Sequence, residues 1–263
     1  MPLDPLHPNL TAPVALPQRA ASAVDLPPFQ RNTPEGQSEP TTAQAPASAT
    51  LGYAVQGLAK GFHYNATATL LWKNEAGRYS ASLEVGMLLL GKRTQTSSGL
   101  VGPEGLMPER FSDKNRSELA AHFQRDKGLI SFSANTPEVP LLKGAQDRLS
   151  IVLQLGALLA GDPARYPLGT MLSFQTVSQR EAEVWQFKVV EVETLQLPYG
   201  DVPSIKLQRN PRREFDQRIE LWLAPSLGYL PVRLRITNAN GEWVDQLLRS
   251  VEKNTPDSPT TGP

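Results

Sequence analysis

Gly86, Gly91 and Lys92 have the types and spacing of a nucleotide phosphate cradle, within the run GMLLLGK at 86–92. That chemistry also needs a hydroxyl after the lysine to reach magnesium, and exposed backbone amides leading into a helix. Here Arg93 follows the lysine, and all four intervening residues are apolar. The run therefore reads as a strand, and no nucleotide or other cofactor is expected. Of the three histidines, His7 lies in a proline-rich stretch, while His63 and His122 fall on the polar faces of apparent strands. Neither belongs to an HxH or HExxH pattern, so no metal site is expected. The sequence has no G-x-S-x-G elbow and no α/β alternation to carry one. Glu181, Glu183, Glu191 and Glu193 share odd spacing, which would place them on one strand face, where mutual repulsion calls for water. Arg209, Arg212, Arg213, Arg218, Arg233 and Arg235 make the C-terminal half locally basic. Arg233 and Arg235 alternate with Val232, Leu234 and Ile236, the pattern of a solvated outer face that could meet an anion or a lipid headgroup.

Composition narrows the chemistry further. With no cysteine, a disulfide framework, a thiolate zinc site and a cysteine nucleophile are excluded. The 26 basic and 26 acidic residues balance, which argues against a nucleic-acid binder that must neutralise many phosphates. No apolar stretch reaches the length of a membrane-spanning helix. The opening MPLDPLHPNL has no basic segment followed by an apolar run, so no signal peptide is read from it. Ten of the 24 prolines fall in residues 1–50, with Phe29 the only aromatic there. These residues read as a proline-rich disordered tether, either a leftover tail or a spacer. Residues 51–250 read as a single β-barrel-like domain, and 251–263 as a flexible tail.

The elements that would position any site are mostly strands. From 62 to 72 one face carries Phe62, Tyr64, Ala66, Ala68, Leu70 and Trp72, and the other is mostly polar. A turn at Asn74–Gly77 leads to a second alternation from Tyr79 to Leu89, making the clearest hairpin. Further strands are expected at 94–101, 117–124, 129–133, 171–177, 184–197, 202–207, 215–223, 232–237 and 243–248. A second hairpin is centred on NANG at 238–241. Roughly ten strands with no repeating helices predict an antiparallel sheet curled into a barrel or half-barrel.

One segment breaks the pattern. Asp147 can cap a helix of about 14 residues ending before Pro163, apolar on more than one stripe. Leu149, Val152, Leu155 and Leu159 on it are candidates for lining an apolar ligand cleft, or for filling the core.

Several segments resemble the bacterial family called domain of unknown function 3108. They are ASLEVGMLLLGKRTQTSSGLVGPEGLMPERF (81–111), QDRLSIVLQL (146–155), LQLPYGDVPSIKLQR (195–209) and IELWLAPSLGYLPVRLRI (219–236). The last, with its W-L-A-P and L-P-V-R pieces, is the most specific. The resemblance covers roughly residues 53–250 and includes Pro108, Asp147, Gly200, Trp222, Pro225 and Pro231. It implies a curved antiparallel barrel and export in Gram-negative bacteria, hence the periplasm; it carries no catalytic residues to transfer. The resulting expectation is a non-enzymatic periplasmic module that binds an apolar small molecule or an envelope protein. The alternatives are a structural protein–protein interaction domain and a hydrolase whose site is assembled from distant residues.

Overall fold

The computed structural model describes residues 42–87 and 91–253. Its framework is one sheet of fifteen strands, more than the roughly ten expected. Strands β1 (Ala49–Ala59), β2 (Phe62–Glu75), β3 (Arg78–Met87), β4 (Gly91–Gly102), β5 (Gly105–Lys114), β6 (Glu118–Gln124), β7 (Leu129–Phe132) and β8 (Val139–Pro140) form one meander. A second contains β9 (Gln146–Asp147), β10 (Met171–Val177), β11 (Ala182–Leu197), β12 (Gly200–Arg209), β13 (Arg218–Ala224), β14 (Leu230–Thr237) and β15 (Trp243–Lys253). Pairing of β1 with β15 joins the two, and every neighbouring pair is antiparallel except β9 with β10.

Period-two patterning sets the faces as expected. Ala68, Leu70 and Trp72 on β2 are buried while Thr67 and Thr69 are exposed. The β1–β2 and β2–β3 hairpins turn on two residues with positive φ, Lys60–Gly61 (51° and 80°) and Ala76–Gly77 (50° and 74°). Such paired left-handed residues match the twist of the flanking strands. Four strands escape the sequence pattern: β1, β5 and the two-residue β8 and β9. The start of β1 lies inside the stretch assigned to the tether. In β5, Pro108 interrupts the alternation, and it sits where the β4–β5 register shifts between Ser98 and Gly99. Proline is tolerated at such a bulge because no ladder donor is needed there.

The inner face wraps helix α1 (Ser150–Gly161), whose residues Ser150 to Leu159 are all buried. It starts two residues later than a helix capped directly at Asp147 would, yet Asp147 still holds its first amides. Asp147 Oδ1 accepts from the amides of Leu149 (2.9 Å) and Ser150 (2.7 Å), and Ser150 Oγ accepts from the Asp147 amide (2.9 Å). This is a reciprocal capping box.

The backbone ladder does not close into a barrel, since β8 and β9 are edge strands of two residues each. Side-chain amides bridge the gap instead. Gln175 of β10 donates to Pro140 O (2.8 Å) and accepts from the Leu142 amide (2.9 Å). Gln146 donates to Leu106 O (2.7 Å), while Gln154 of α1 accepts from Leu106 N (2.6 Å) and donates to Glu104 O (2.8 Å). A carboxamide carries the same donor–acceptor set as a peptide group, so it can replace a ladder rung.

Most of the expected tether lies outside the described residues, as does the expected tail at 251–263 apart from residues 251–253, which are not tail but the end of β15, paired with β1. Residues 42–50 do not behave as tether: they form a strap on the domain, and β1 begins at Ala49. Gln44 N donates to Ala157 O (2.8 Å) of α1, and Trp72 Nε1 donates to Pro46 O (3.0 Å). The domain boundary therefore moves to residue 42 or earlier.

Candidate functional site

The four helix residues singled out in the sequence, Leu149, Val152, Leu155 and Leu159, are all buried in the main hydrophobic cluster. They pack with inward side chains such as Leu51, Phe111, Phe187 and Leu221. Gly156 permits close approach, because a Cβ there would collide with the Tyr229 carbonyl oxygen. At the C-terminal end of α1, a recess of about 210 Å³ opens between the strap (Gln44–Ala47), Ala160 and the turn at 225–229.

At the helix's other end lies a buried polar chain. Ser97 Oγ donates to Asp147 Oδ2 (2.6 Å), and the Tyr79 hydroxyl lies 2.9 Å from Ser97 Oγ. Since the serine proton is committed to the carboxylate, the tyrosine must donate to the serine. Burial pushes the Asp147 carboxyl up to about 6, against the opposing pull of Ser97 and the two amides. Burial also raises the Tyr79 hydroxyl well above its ordinary range. Asp147, Ser97 and Ser150 are all inaccessible, so this chain fixes the helix start to β3 and β4 and presents no surface to a substrate.

Beside it, Arg93 Nε donates to Asp113 Oδ1 (2.7 Å) and Gln95 Nε2 to Asp113 Oδ2 (3.0 Å). Burial works to raise the Asp113 carboxyl, but the Arg93 guanidinium more than offsets this and holds it below its ordinary value.

The acidic run does not share one face as its spacing suggested. A bulge between Val189 and Glu191 reverses the alternation. Glu183 points inward, where it accepts from Trp185 Nε1 (3.4 Å) near buried Arg209. Glu193 points outward and accepts from Trp222 Nε1 (2.7 Å). Trp222 is only 3% exposed despite lying on the outer face. Lys206 and Arg233 cover it, 4.8 and 4.5 Å from its ring centroid. Arg233 in turn forks onto Asp245 through Nε (2.9 Å) and Nη2 (2.6 Å). The outward facing of Arg233 and Arg235 was readable from alternation; the aromatic between the cations was hidden by the bulges.

The open polar feature is a cleft of about 540 Å³ over the outer face of β3–β6. Cross-strand register brings its lining together: Glu84 faces Thr94, Thr96 faces Ser112, and Thr94 faces Lys114. Lys92 Nζ pairs with Glu84 (2.9 Å), Arg110 pairs with Glu118, and Thr96 Oγ1 lies 2.8 Å from Ser112 Oγ. Its ionic neighbour holds the Glu118 carboxyl below its ordinary value through the Arg110 hydrogen bond. Lys114, at the cleft's end beside Asn115, makes no close ion pair among the described residues, but it stands opposite Glu118 on β6 and helps hold that carboxyl down. Such a surface offers hydroxyls, a carboxamide and the cation of Lys114, shared only with Glu118 across the ladder, to a hydrophilic ligand carrying negative charge. Lys92 of the GMLLLGK run is thus a cleft cation. Gly86 pairs with Lys92 across an antiparallel ladder, and β4 follows where a phosphate loop would need a helix; residues 88–90 lie outside the described residues. His63 packs edge-on to Trp243 (6.1 Å), and His122 lies on β6 opposite Arg110.

Known proteins place this fold. A β-barrel-like protein of domain of unknown function DUF1849 from Brucella abortus superposes with a TM-score of 0.54 at 11% identity, covering 81% of this chain and 100% of its own. Looser matches are a DUF1329 family protein from Desulfovibrio piger (TM-score 0.31, 7% identity, 81% and 88% covered) and a Bacteroides fragilis protein of YmcC-like fold (TM-score 0.34, 11%, 81% and 99%). The Brucella likeness is one of fold. No curated protein matches the chain in sequence. The family model for proteins of unknown function DUF3108 matches residues 53–249, the span that contains the outer tryptophan, the capping box and the polar cleft, and the chain belongs to that family.

Proposed function

We propose that this chain is a non-enzymatic binding and assembly module of the Gram-negative envelope, working in the periplasm as its family's export pattern implies. It meets its partner on the outside of the curled sheet. The observation that carries this reading is the position of α1: the concavity that could have held an apolar ligand is occupied by the protein's own helix, with Leu149, Val152, Leu155 and Leu159 in the core. Recognition is thereby moved to the polar cleft of β3–β6, which suits an envelope protein or polymer bearing carboxylate or phosphate groups.

The apolar-ligand reading retains one supporting feature, the recess at the helix C-terminus. At about 210 Å³ it is smaller than the roughly 300 Å³ at which small-molecule pockets begin, so it suits a short apolar group and not a whole lipid.

The test is photo-crosslinking in cells with the reactive residue at Thr96 in the cleft or at exposed Val192 outside it. The proposal expects a discrete adduct from position 96 that disappears when Lys114→Glu is added, and none from position 192. The same adducts at both positions, or an adduct indifferent to Lys114→Glu, would remove the cleft from the account.

A further inference from the structure

Three turns at one end of the sheet form a continuous rim. They are the β1–β2 turn at 60–61, the β14–β15 turn at 238–242 and the β12–β13 loop at 210–217. Neighbours touch: the Lys60 amide donates to Glu242 Oε1 (2.8 Å), and Gln217 Nε2 donates to Asn238 Oδ1 (2.7 Å). Successive turns are two strands apart, so the rim spans roughly 20 Å at a strand spacing of about 4.8 Å.

Phe62 (77%) and Phe215 (76%) are the most exposed large hydrophobic residues among those described, and they stand at the two ends of this rim. The loop that presents Phe215 is held in place. Buried Arg209 donates to Asp216 Oδ1 and to Gln217 O, both at 2.5 Å, and the Arg212 amide donates to Asp216 Oδ2 (3.1 Å). Arg212, Arg213 and Arg218 flank Phe215 and have no ion pair among the described residues. Of the rim's acids, Asp216 is paired with Arg209, while Glu242, which accepts from the Lys60 amide, and Glu214 keep their charge against Arg212, Arg213 and Arg218. Trp243 lies half-buried just inside the rim, between His63 and Arg235.

We propose that this rim docks the protein on an anionic lipid surface. Phe62 and Phe215 enter the boundary between headgroups and acyl chains, and Arg212, Arg213 and Arg218 meet lipid phosphates. Two separate aromatic tips at the ends of a row of turns do not make the contiguous surface of roughly 800 Å² per partner that a stable protein interface uses. A fluid bilayer accepts separate tips without shape complementarity, and basic residues beside them add attraction to anionic headgroups. The proposal deepens the envelope reading, but uses a different face from the polar cleft, so either can fail alone.

The test is co-sedimentation of the full chain with vesicles of phosphatidylglycerol and phosphatidylethanolamine, against vesicles of phosphatidylcholine. Binding to the anionic vesicles is expected to weaken with salt. Phe62→Ser and Phe215→Ser should each weaken it about tenfold, since burying a phenylalanine contributes about that factor. Arg212→Gln and Arg213→Gln should each weaken it about fivefold. All four side chains are exposed, so thermal unfolding midpoints should stay at the wild-type value, separating docking from folding. The proposal is overturned if the wild type ignores the anionic vesicles, which would leave the rim to a protein partner. Equal binding to phosphatidylcholine, or full binding by the doubly substituted Phe62→Ser/Phe215→Ser chain, would overturn it as well.

Discussion

At Asp147 a carboxyl is kept in the interior by three hydrogen bonds, from Ser97 and from the Leu149 and Ser150 amides, while its own backbone amide donates to Ser150 Oγ. Its folded value of about 6 lies above the unfolded value of 3.8. The folded state therefore holds this proton more tightly, so the group's contribution to stability is full below pH 4 and is lost as pH rises through 6. The difference corresponds to about 3 kcal/mol. Asp147→Asn keeps the acceptor for the helix amides and removes the titration. Subtracting its pH–stability curve from the wild type's should leave a slope confined to pH 4–6, with the wild type relatively more stable on the acid side. A flat difference curve would show that the carboxylate is ionised without cost.

Trp222 makes the complementary case on the outer face. Trp222→Ala should cost about 3 kcal/mol, in the range for large aromatic truncations. Lys206→Gln should cost about 1–2 kcal/mol, because it breaks a 2.9 Å pair with Glu220 that is largely shielded from water on both sides; paired denaturant titrations check both. Asp147 was legible because a capping residue before an apolar run is a local signal. Trp222 was legible as an anchor, but its facing depended on two bulges, which no residue spacing announces.

The elements divide in the same way. Helix α1 and the hairpins around residues 76–77 and 238–241 follow from local patterns of apolar residues and turn residues. Strand β5 did not, because Pro108 at its bulge looks like a loop signal until its partner strand is known. The glutamine seam was invisible for a stronger reason: Gln146, Gln154 and Gln175 are distant in sequence, and nothing local distinguishes a carboxamide that replaces a ladder rung from one in solvent. Gln175→Leu removes two seam bonds at an accessible position and should cost about 1–2 kcal/mol. Its more specific mark is local: amide exchange at Leu142 should accelerate, while β1 and β2 keep wild-type protection. Uniform acceleration would mean that the seam is part of the cooperative core.

For the whole molecule, the strap at 42–48 and the helix under it decide what the curled sheet is for. Deleting residues 1–41 should leave the unfolding midpoint unchanged. Deleting through Ser48 removes the acceptor of Trp72 Nε1, the bond to Ala157 O and the packing of Ala43 and Ala45, and should lower stability by about 2–3 kcal/mol. The sequence placed the start of the domain at 51 because alanine and proline look like linker when the surface they cover is not yet known. That α1 would be apolar on more than one stripe was evident; that it fills the sheet's interior follows only from the fold. This filling is the central claim, and hydrogen exchange of α1 in the full chain tests it directly, with and without an environment-sensitive apolar probe. If the helix is core, the amides of Ile151 to Leu159 exchange only through global unfolding and the probe changes nothing. If the interior is a ligand cleft, those amides open below the global free energy, saturable probe binding slows their exchange, and Leu155→Gln abolishes that effect without abolishing cooperative unfolding.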